Sequence, residues 1–276
     1  MNKCLDFIIS MYDYSSIDET SMFYSLLRHG LGGIMQLSAK IVIDFGRMRP
    51  WLGTFLEGTG ITLVLSLVTV VMGLVIGLGV TFLRRSRIKP LSFIAKTYTL
   101  VIRGTPLLLQ LYMWLYAFPQ LGLRIPGLPI PSSVFGSREF ATAIVALGIN
   151  SGAYVAELLR GGLDAVDKGQ TEAARSLGLS KTQSMRYVVI PQALRVILPG
   201  LGNEFIQMIK ESSIVSTVGI FDVMYAQTIV KSSTYAVFEP LIIVAAIYFV
   251  LTSGLTFILS KLERKFNAYS KNTETV

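Results

Sequence analysis

The stretch GITLVLSLVTVVMGLVIGLGVTFL, residues 60–83, carries no charged side chain, and RRSRIK, residues 84–89, follows it without a spacer. A helix over 60–83 reaches about 36 Å at about 1.5 Å per residue, enough to cross roughly 30 Å of hydrocarbon. A block of bases directly after an apolar span marks its cytoplasmic end, so the chain begins on the outer side. Outward from this segment the composition has the same character. Of 276 residues, 52% are hydrophobic and 15% charged, with a mean hydropathy of +0.57. An ordinary soluble domain carries about 25% charge. The expected fold class is therefore an all-α integral membrane protein.

Five spans are predicted, at about 60–83, 92–119, 140–163, 195–212 and 239–260, with the N-terminus out and the C-terminus in. Trp114 and Tyr116 anchor the outer end of the second span, and Pro119, Pro126, Pro129 and Pro131 stiffen an outer loop. Pro199, Gly200 and Gly202 are expected to break the fourth span. Asp222 argues against a further span over residues 213–230. Residues 164–194 make an inner loop and residues 266–276 a cytoplasmic tail. Sixteen of the 25 Lys and Arg fall on the predicted inner side. The formal charge of +8 thus reports orientation in lipid, and no nucleic-acid partner is expected.

Residues 1–50 form an extracytoplasmic or interfacial extension. Phe23, Leu27, Ile34, Ile41 and Phe45 recur at roughly helical spacing around Arg28, His29 and Lys40, the pattern of a helix lying on the membrane. A poorly ordered extension is the plain alternative. Lys3 is followed by only a short apolar stretch holding Asp6, so a cleaved signal peptide is not expected. Cys4 and His29 are the sole residues of their types. They exclude a disulfide framework, a Cys/His metal site and a Cys–His nucleophile pair. No metal, catalytic group or cofactor is expected in this chain.

The inner loop is locally well specified. Residues 170–177 favour a helix that Gly178 ends, and Ser180 precedes Gln183 at capping-box spacing, opening a second short helix that Pro191 stops. Two short helices joined at a glycine make a knob whose charges, Glu172 against Arg175, Lys181 and Arg186, are mixed. A partner protein would find a small, rigid surface there. The plain alternative is a solvated loop with ordinary caps.

EAARSLGLSKTQSMRYVVIP, residues 172–191, resembles the EAA loop of the membrane subunits of binding-protein-dependent ABC importers. Glu172, Ala173, Ala174, Gly178 and Pro191 fall on its pattern, with Val188 and Ile190 as conservative departures. RGTPLLLQL (103–111), KGQTEAARSLGL (168–179), IPQALR (190–195) and KESSIVSTVGI (210–220) are similar to the polar amino-acid branch, of histidine, glutamine or arginine type. The resemblance covers about 51–265. It implies the type I, MetI-like permease fold and a place in the bacterial cytoplasmic membrane. It also implies a coupling helix, with Glu172, Ala173, Ala174, Arg175, Gly178 and Pro191, that seats in a groove of an ABC ATPase subunit. ATP is then hydrolysed on that partner, a second permease subunit completes the pore, and an extracytoplasmic solute-binding protein delivers the substrate. No G-x-x-x-x-G-K-[ST] occurs in the chain, as a permease subunit requires.

Polar side chains at bilayer depth mark pathways by default. Asn150, Tyr154 and Glu157 share one face of the third span, and Asn203, Glu204, Gln207, Lys210 and Glu211 follow Pro199 on the fourth. Asn150, Tyr154, Glu157, Asn203 and Gln207 are the candidate substrate-pathway residues. Hydrogen bonds and ion pairs between helices, including Glu157 with Arg160, are the competing explanation. The resulting expectation is the membrane subunit of an importer for polar amino acids. Another small polar solute is the rival within transport. A secondary transporter would need an ion-coupling carboxylate pair and usually more spans or an inverted repeat, and the sequence shows no repeat; an intramembrane enzyme would need a nucleophile and base or a metal constellation.

Overall fold

The structure is a computed structural model that describes residues 43–271, with side chains as far as Arg264. The interfacial helix expected before residue 43 lies outside these residues, as does the end of the tail. From Phe45 the chain forms a single unit. A 3-10 turn, Phe45–Trp51, leads into α1, Leu52–Arg84. Next come α2 (Lys89–Arg103), α3 (Leu107–Tyr112), a π turn (Met113–Ala117) and α4 (Phe118–Gln120). After the proline-rich loop, α5 runs Arg138–Asp164, with Ser137 capping it by accepting from the Phe140 amide. Two short helices, α6 (Lys168–Ser176) and α7 (Lys181–Ser184), precede a π turn (Met185–Val189) and α8, Ile190–Glu211. A 3-10 stretch, Ser212–Val218, then leads to α9 (Val223–Thr234) and α10 (Phe238–Lys271).

The central pair is α1 against α5, and small residues let their backbones meet. A methyl group at Gly73 would lie 2.6 Å from Ser151 Oγ, and one at Gly152 would lie 2.6 Å from Ile76 Cγ2. Gly73 and Gly77 on α1, and Gly148 and Gly152 on α5, stand four apart, the small-xxx-small pattern of close packing in lipid. α8 lies against α5 through Gly200 and Leu158, and against α10 through Gly202 and Leu259. By contrast only 6% of the apolar window of α10 is buried in this chain, which leaves that surface to lipid or another subunit.

Among the described residues, Phe45–Arg84, Arg138–Asp164 and Phe238–Arg264 are long and apolar enough to cross a membrane, and Lys181–Val218 with Val223–Thr234 forms a fourth candidate bent by 45°. Three expectations need correcting. The segment 92–119 is two helical pieces parted at Gly104–Pro106, because Pro106 has no amide to continue the ladder. The Ile102 carbonyl on which that amide would close instead accepts from Gln110 Nε2 at 2.7 Å.

Pro191 does not stop the second loop helix. The chain continues through the π turn directly into α8, whose first turn contains Pro191. The wider i→i+5 pitch accommodates the missing amide, and the π turn before Pro119 has the same spacing. Nor does α8 break at Pro199, since it runs unbroken to Glu211. The irregularity falls later, where Gly219 turns at φ +81° and Asp222 caps α9 by accepting from the Tyr225 amide at 2.7 Å. Thr62 Oγ1 of α1 accepts from the Val223 amide at 3.1 Å and ties this elbow to the central pair.

Candidate functional site

The knob between α5 and α8 carries the EAA-like residues. Asp167 caps α6 by accepting from the Gly169 amide. At the other end, the Gly178 amide bonds the Arg175 carbonyl at 3.0 Å and the Leu179 amide bonds the Ala174 carbonyl at 3.2 Å. These are the two bonds of a Schellman stop, which needs its turning residue at positive φ. Gly178 sits at φ +87°, with open space where a Cβ would go. Its glycine is thus required by backbone conformation. Ser180 and Gln183 complete the capping box in both directions, at 3.3 and 2.8 Å.

Within this frame Ala174 is buried, while Glu172, Ala173, Arg175 and Gly178 are exposed. The Glu172 carboxylate makes no ion pair among the described residues. Pro191 lies apart from the tip, in the first turn of α8. Leu177, which sequence reasoning passed over, is 83% exposed beside Gly178. An apolar residue between Arg175 and Gly178 was its only signal.

A cavity of about 380 Å³ opens between α5 and α8, lined by Tyr154, Leu158, Gly200, Asn203, Glu204, Gln207 and Glu211. It brings together Tyr154, Asn203 and Gln207 of the predicted pathway, with Gly200 giving room at the wall. Ser151 Oγ donates to Glu204 Oε1 at 2.7 Å, and Gln207 Nε2 donates to Glu211 Oε1 at 2.9 Å. Neither carboxylate has an ion-pair partner among the described residues. The cavity therefore offers two carboxylates, two amides and a phenol to a polar, cationic guest.

The other two pathway candidates lie elsewhere. Asn150 is buried, and its Nδ2 donates to Gln110 Oε1 at 3.0 Å. Gln110 in turn holds the Ile102 carbonyl and Thr105 Oγ1. Asn150 thus braces the Gly104–Pro106 break from α5. Glu157 pairs with Arg84 of α1 and, at 2.8 Å, with Arg160, which reaches Asp164 at 2.8 Å. It faces a second cavity of about 510 Å³, lined by Arg84, Lys96, Thr99, Leu100, Arg103, Gly104, Tyr154 and Glu157. Tyr154 is common to both cavities, and the Arg103 guanidinium lies 5.2 Å from its ring centre. Among the described residues no group of three His, Cys, Asp or Glu is arranged to hold a metal ion.

An all-helical, multi-pass chain with a capped knob and a polar cavity between two of its long helices is built as a transport subunit. Residues 69–268 match the family described as "Binding-protein-dependent transport system inner membrane component". The chain belongs to this family and is a permease subunit, the component of such systems distinct from the ATPase. It is similar to the arginine transport system permease protein ArtQ of Bacillus subtilis, with 40% identity over 82% of this chain and 98% of that protein. A putative glutamine transport system permease protein GlnP of Rickettsia bellii is 39% identical over 79% of this chain and 95% of its own length.

Among solved structures, an amino acid ABC transporter crystallised with histidines is 46% identical. It superposes with a TM-score of 0.75, over 82% of this chain and 100% of that one. The inward-facing MetNI methionine ABC transporter, 21% identical with a TM-score of 0.62, shares the fold over 79% of this chain and 98% of its own. The resemblance carried by the EAA-like segment and its flanking motifs is therefore met across the permease region.

Proposed function

We propose that this chain is the membrane subunit of an importer for polar amino acids, with preference for those bearing a cationic side chain. The observation that carries this reading is the α5–α8 cavity, where Glu204 and Glu211, without an ion-pair partner among the described residues, stand beside Asn203, Gln207 and Tyr154. An amino acid enters with an ammonium group and, for arginine or histidine, a second cationic or polar end. Carboxylates and amides are the groups that receive both. The named relatives, arginine and glutamine permeases and a transporter crystallised with histidines, support the same class.

In this reading residues 51–265 form the permease domain in the bacterial cytoplasmic membrane, and 164–194 is its cytoplasmic coupling loop. The chain works in a pair, with itself or a similar subunit, beneath an extracytoplasmic binding protein. The exposed surface of Glu172, Ala173, Arg175, Leu177 and Gly178 docks an ABC ATPase, and Ala174 anchors that surface from inside. Closure of the ATPase dimer then moves the knob, and α5 and α8, which enter and leave it, open or close the cavity between them. The test is reconstitution in lipid with the ATPase and binding protein, followed by ATP hydrolysis as arginine, histidine, glutamine and acidic amino acids are added in turn. Stimulation by the first three is expected. Indifference to every amino acid would refute the substrate class.

A further inference from the structure

The two cavities that meet at Tyr154 have opposite charge. On the α8 side Glu204 and Glu211 have no cationic partner among the described residues. On the α2 side Arg84, Lys96 and Arg103 face one carboxylate, Glu157, which Arg84 and Arg160 already occupy. Lys96 and Arg103 therefore have no acidic partner among the described residues. Both are exposed and line the cavity, so a cation without a counter-charge there is open to an anionic group.

The levels along α5 fix the order. Ser151 holds Glu204, Tyr154 stacks with Arg103, and Glu157 bonds Arg84. Each step is three residues, about 4.5 Å along the helix. Acid, aromatic ring and base thus succeed one another over a length comparable to one amino acid. Arg103 is also the last residue of α2, directly before the Gly104–Pro106 break, and Gly104 lines the same cavity. Its guanidinium lines the second cavity beside the Tyr154 ring that the two cavities share.

Resting on the proposed transport of amino acids, we infer that Arg103 receives the α-carboxylate of the substrate, with Lys96 behind it. The substrate crosses from one cavity to the other with its ammonium and side chain toward Glu204 and Glu211 and its carboxylate leading toward α2. Tyr154 forms the shared wall and exchanges its contact with Arg103 for one with the passing substrate. Arg103 is thus a specificity residue for the carboxylate, and Glu204 is one for the cationic end. A guanidinium offers parallel N–H donors to a carboxylate, geometry that a lysine at this position reproduces only in charge.

The experiment uses the purified permease–ATPase complex in lipid nanodiscs without binding protein, so that only intramembrane recognition is read. Calorimetry compares L-arginine with agmatine, which lacks the carboxylate. Wild type is expected to bind arginine about tenfold or more tighter than agmatine, the scale of one charge-assisted hydrogen-bonded contact. Arg103→Gln should remove that preference by weakening arginine while leaving agmatine unchanged, and Arg103→Lys should restore part of it. Glu204→Gln should weaken both ligands. Retained agmatine binding shows that Arg103→Gln is assembled. Equal weakening of both ligands in Arg103→Gln, or an undiminished arginine preference, would overturn the carboxylate role while leaving amino-acid transport standing. Failure of wild type to bind arginine, histidine or glutamine at all would remove the transport reading and this inference with it.

Discussion

The knob and the cavity region use polar side chains in opposite ways. In the knob, Asp167, Ser180 and Gln183 close hydrogen bonds within three residues of themselves, and the charged side chains are left in solvent. In the spans, the bonds that matter join distant parts of the chain: Asn150 to Gln110, Ser151 to Glu204, Glu157 to Arg84. A locally closed unit keeps its shape when a partner pushes on it, so it transmits displacement. A site assembled from three helices changes shape whenever those helices shift. In the proposed mechanism, force is therefore received where structure is local and converted where structure is long-range.

The sharpest break between the two regions is Glu172→Lys. Its exposed carboxylate has no ion-pair partner among the described residues, so folding stability should move by no more than about 0.5 kcal/mol. Reversing a charge inside a docking surface should cost about 2–4 kcal/mol of association. Membrane insertion and melting temperature stay at wild-type levels, while uptake and ATPase stimulation in the reconstituted complex fall by more than about 30-fold. Loss of insertion, or normal uptake, would show that Glu172 does not belong to a coupling surface.

Glu157→Gln should behave in reverse. Arg84 and Arg160 lose the carboxylate between them, and the Glu157 side chain is only 17% exposed. A half-buried pair broken on one side costs about 2 kcal/mol, less than a fully buried one because water still reaches Arg160. Thermal unfolding of the complex in nanodiscs reads the loss. ATPase docking, measured as retention of the ATPase through purification, should be unchanged.

Gly178→Ala has a smaller effect than either. An L-residue at φ +87° is strained by about 1–2 kcal/mol. No neighbour obstructs the methyl group, so the strain falls on the Schellman stop alone. Coupled uptake should drop about five- to tenfold with the melting temperature nearly unchanged. Gly178→Asn, which tolerates the left-handed region better, should recover part of the loss.

The legibility of the sequence divides along the same line. The knob was readable because caps and stops are short-range: Gly178, Ser180 and Gln183 say what they do from their spacing alone. The apolar run of α1 was readable because composition over a window suffices. Pro191 and Pro199 do not break the chain as their sequence suggests, since a proline's effect depends on whether a π turn or neighbouring helices can absorb the missing amide. Asn150 and Tyr154 share a face of α5, but nothing in their spacing tells that one bonds Gln110 and the other opens on two cavities. The cavity beside Arg103 and Lys96 has no signature in their own segment, because the residues that complete it come from α1 and α5.

Asn150 gives the smallest and most discriminating test. If it braces the Gly104–Pro106 break, then Asn150→Ala and Gln110→Ala remove one shared interaction. A double-mutant cycle should then show a coupling energy of about 0.6 kcal/mol, typical of an interhelical hydrogen bond in lipid. Gln110→Ala alone should cost more than Asn150→Ala, because it also strips the Ile102 carbonyl of the donor that replaces the Pro106 amide. Arginine affinity should be equal in Asn150→Ala and wild type, since the side chain is absent from both cavity walls. A change in affinity with zero coupling to Gln110 would return Asn150 to the pathway and erase the separation between brace and cavity.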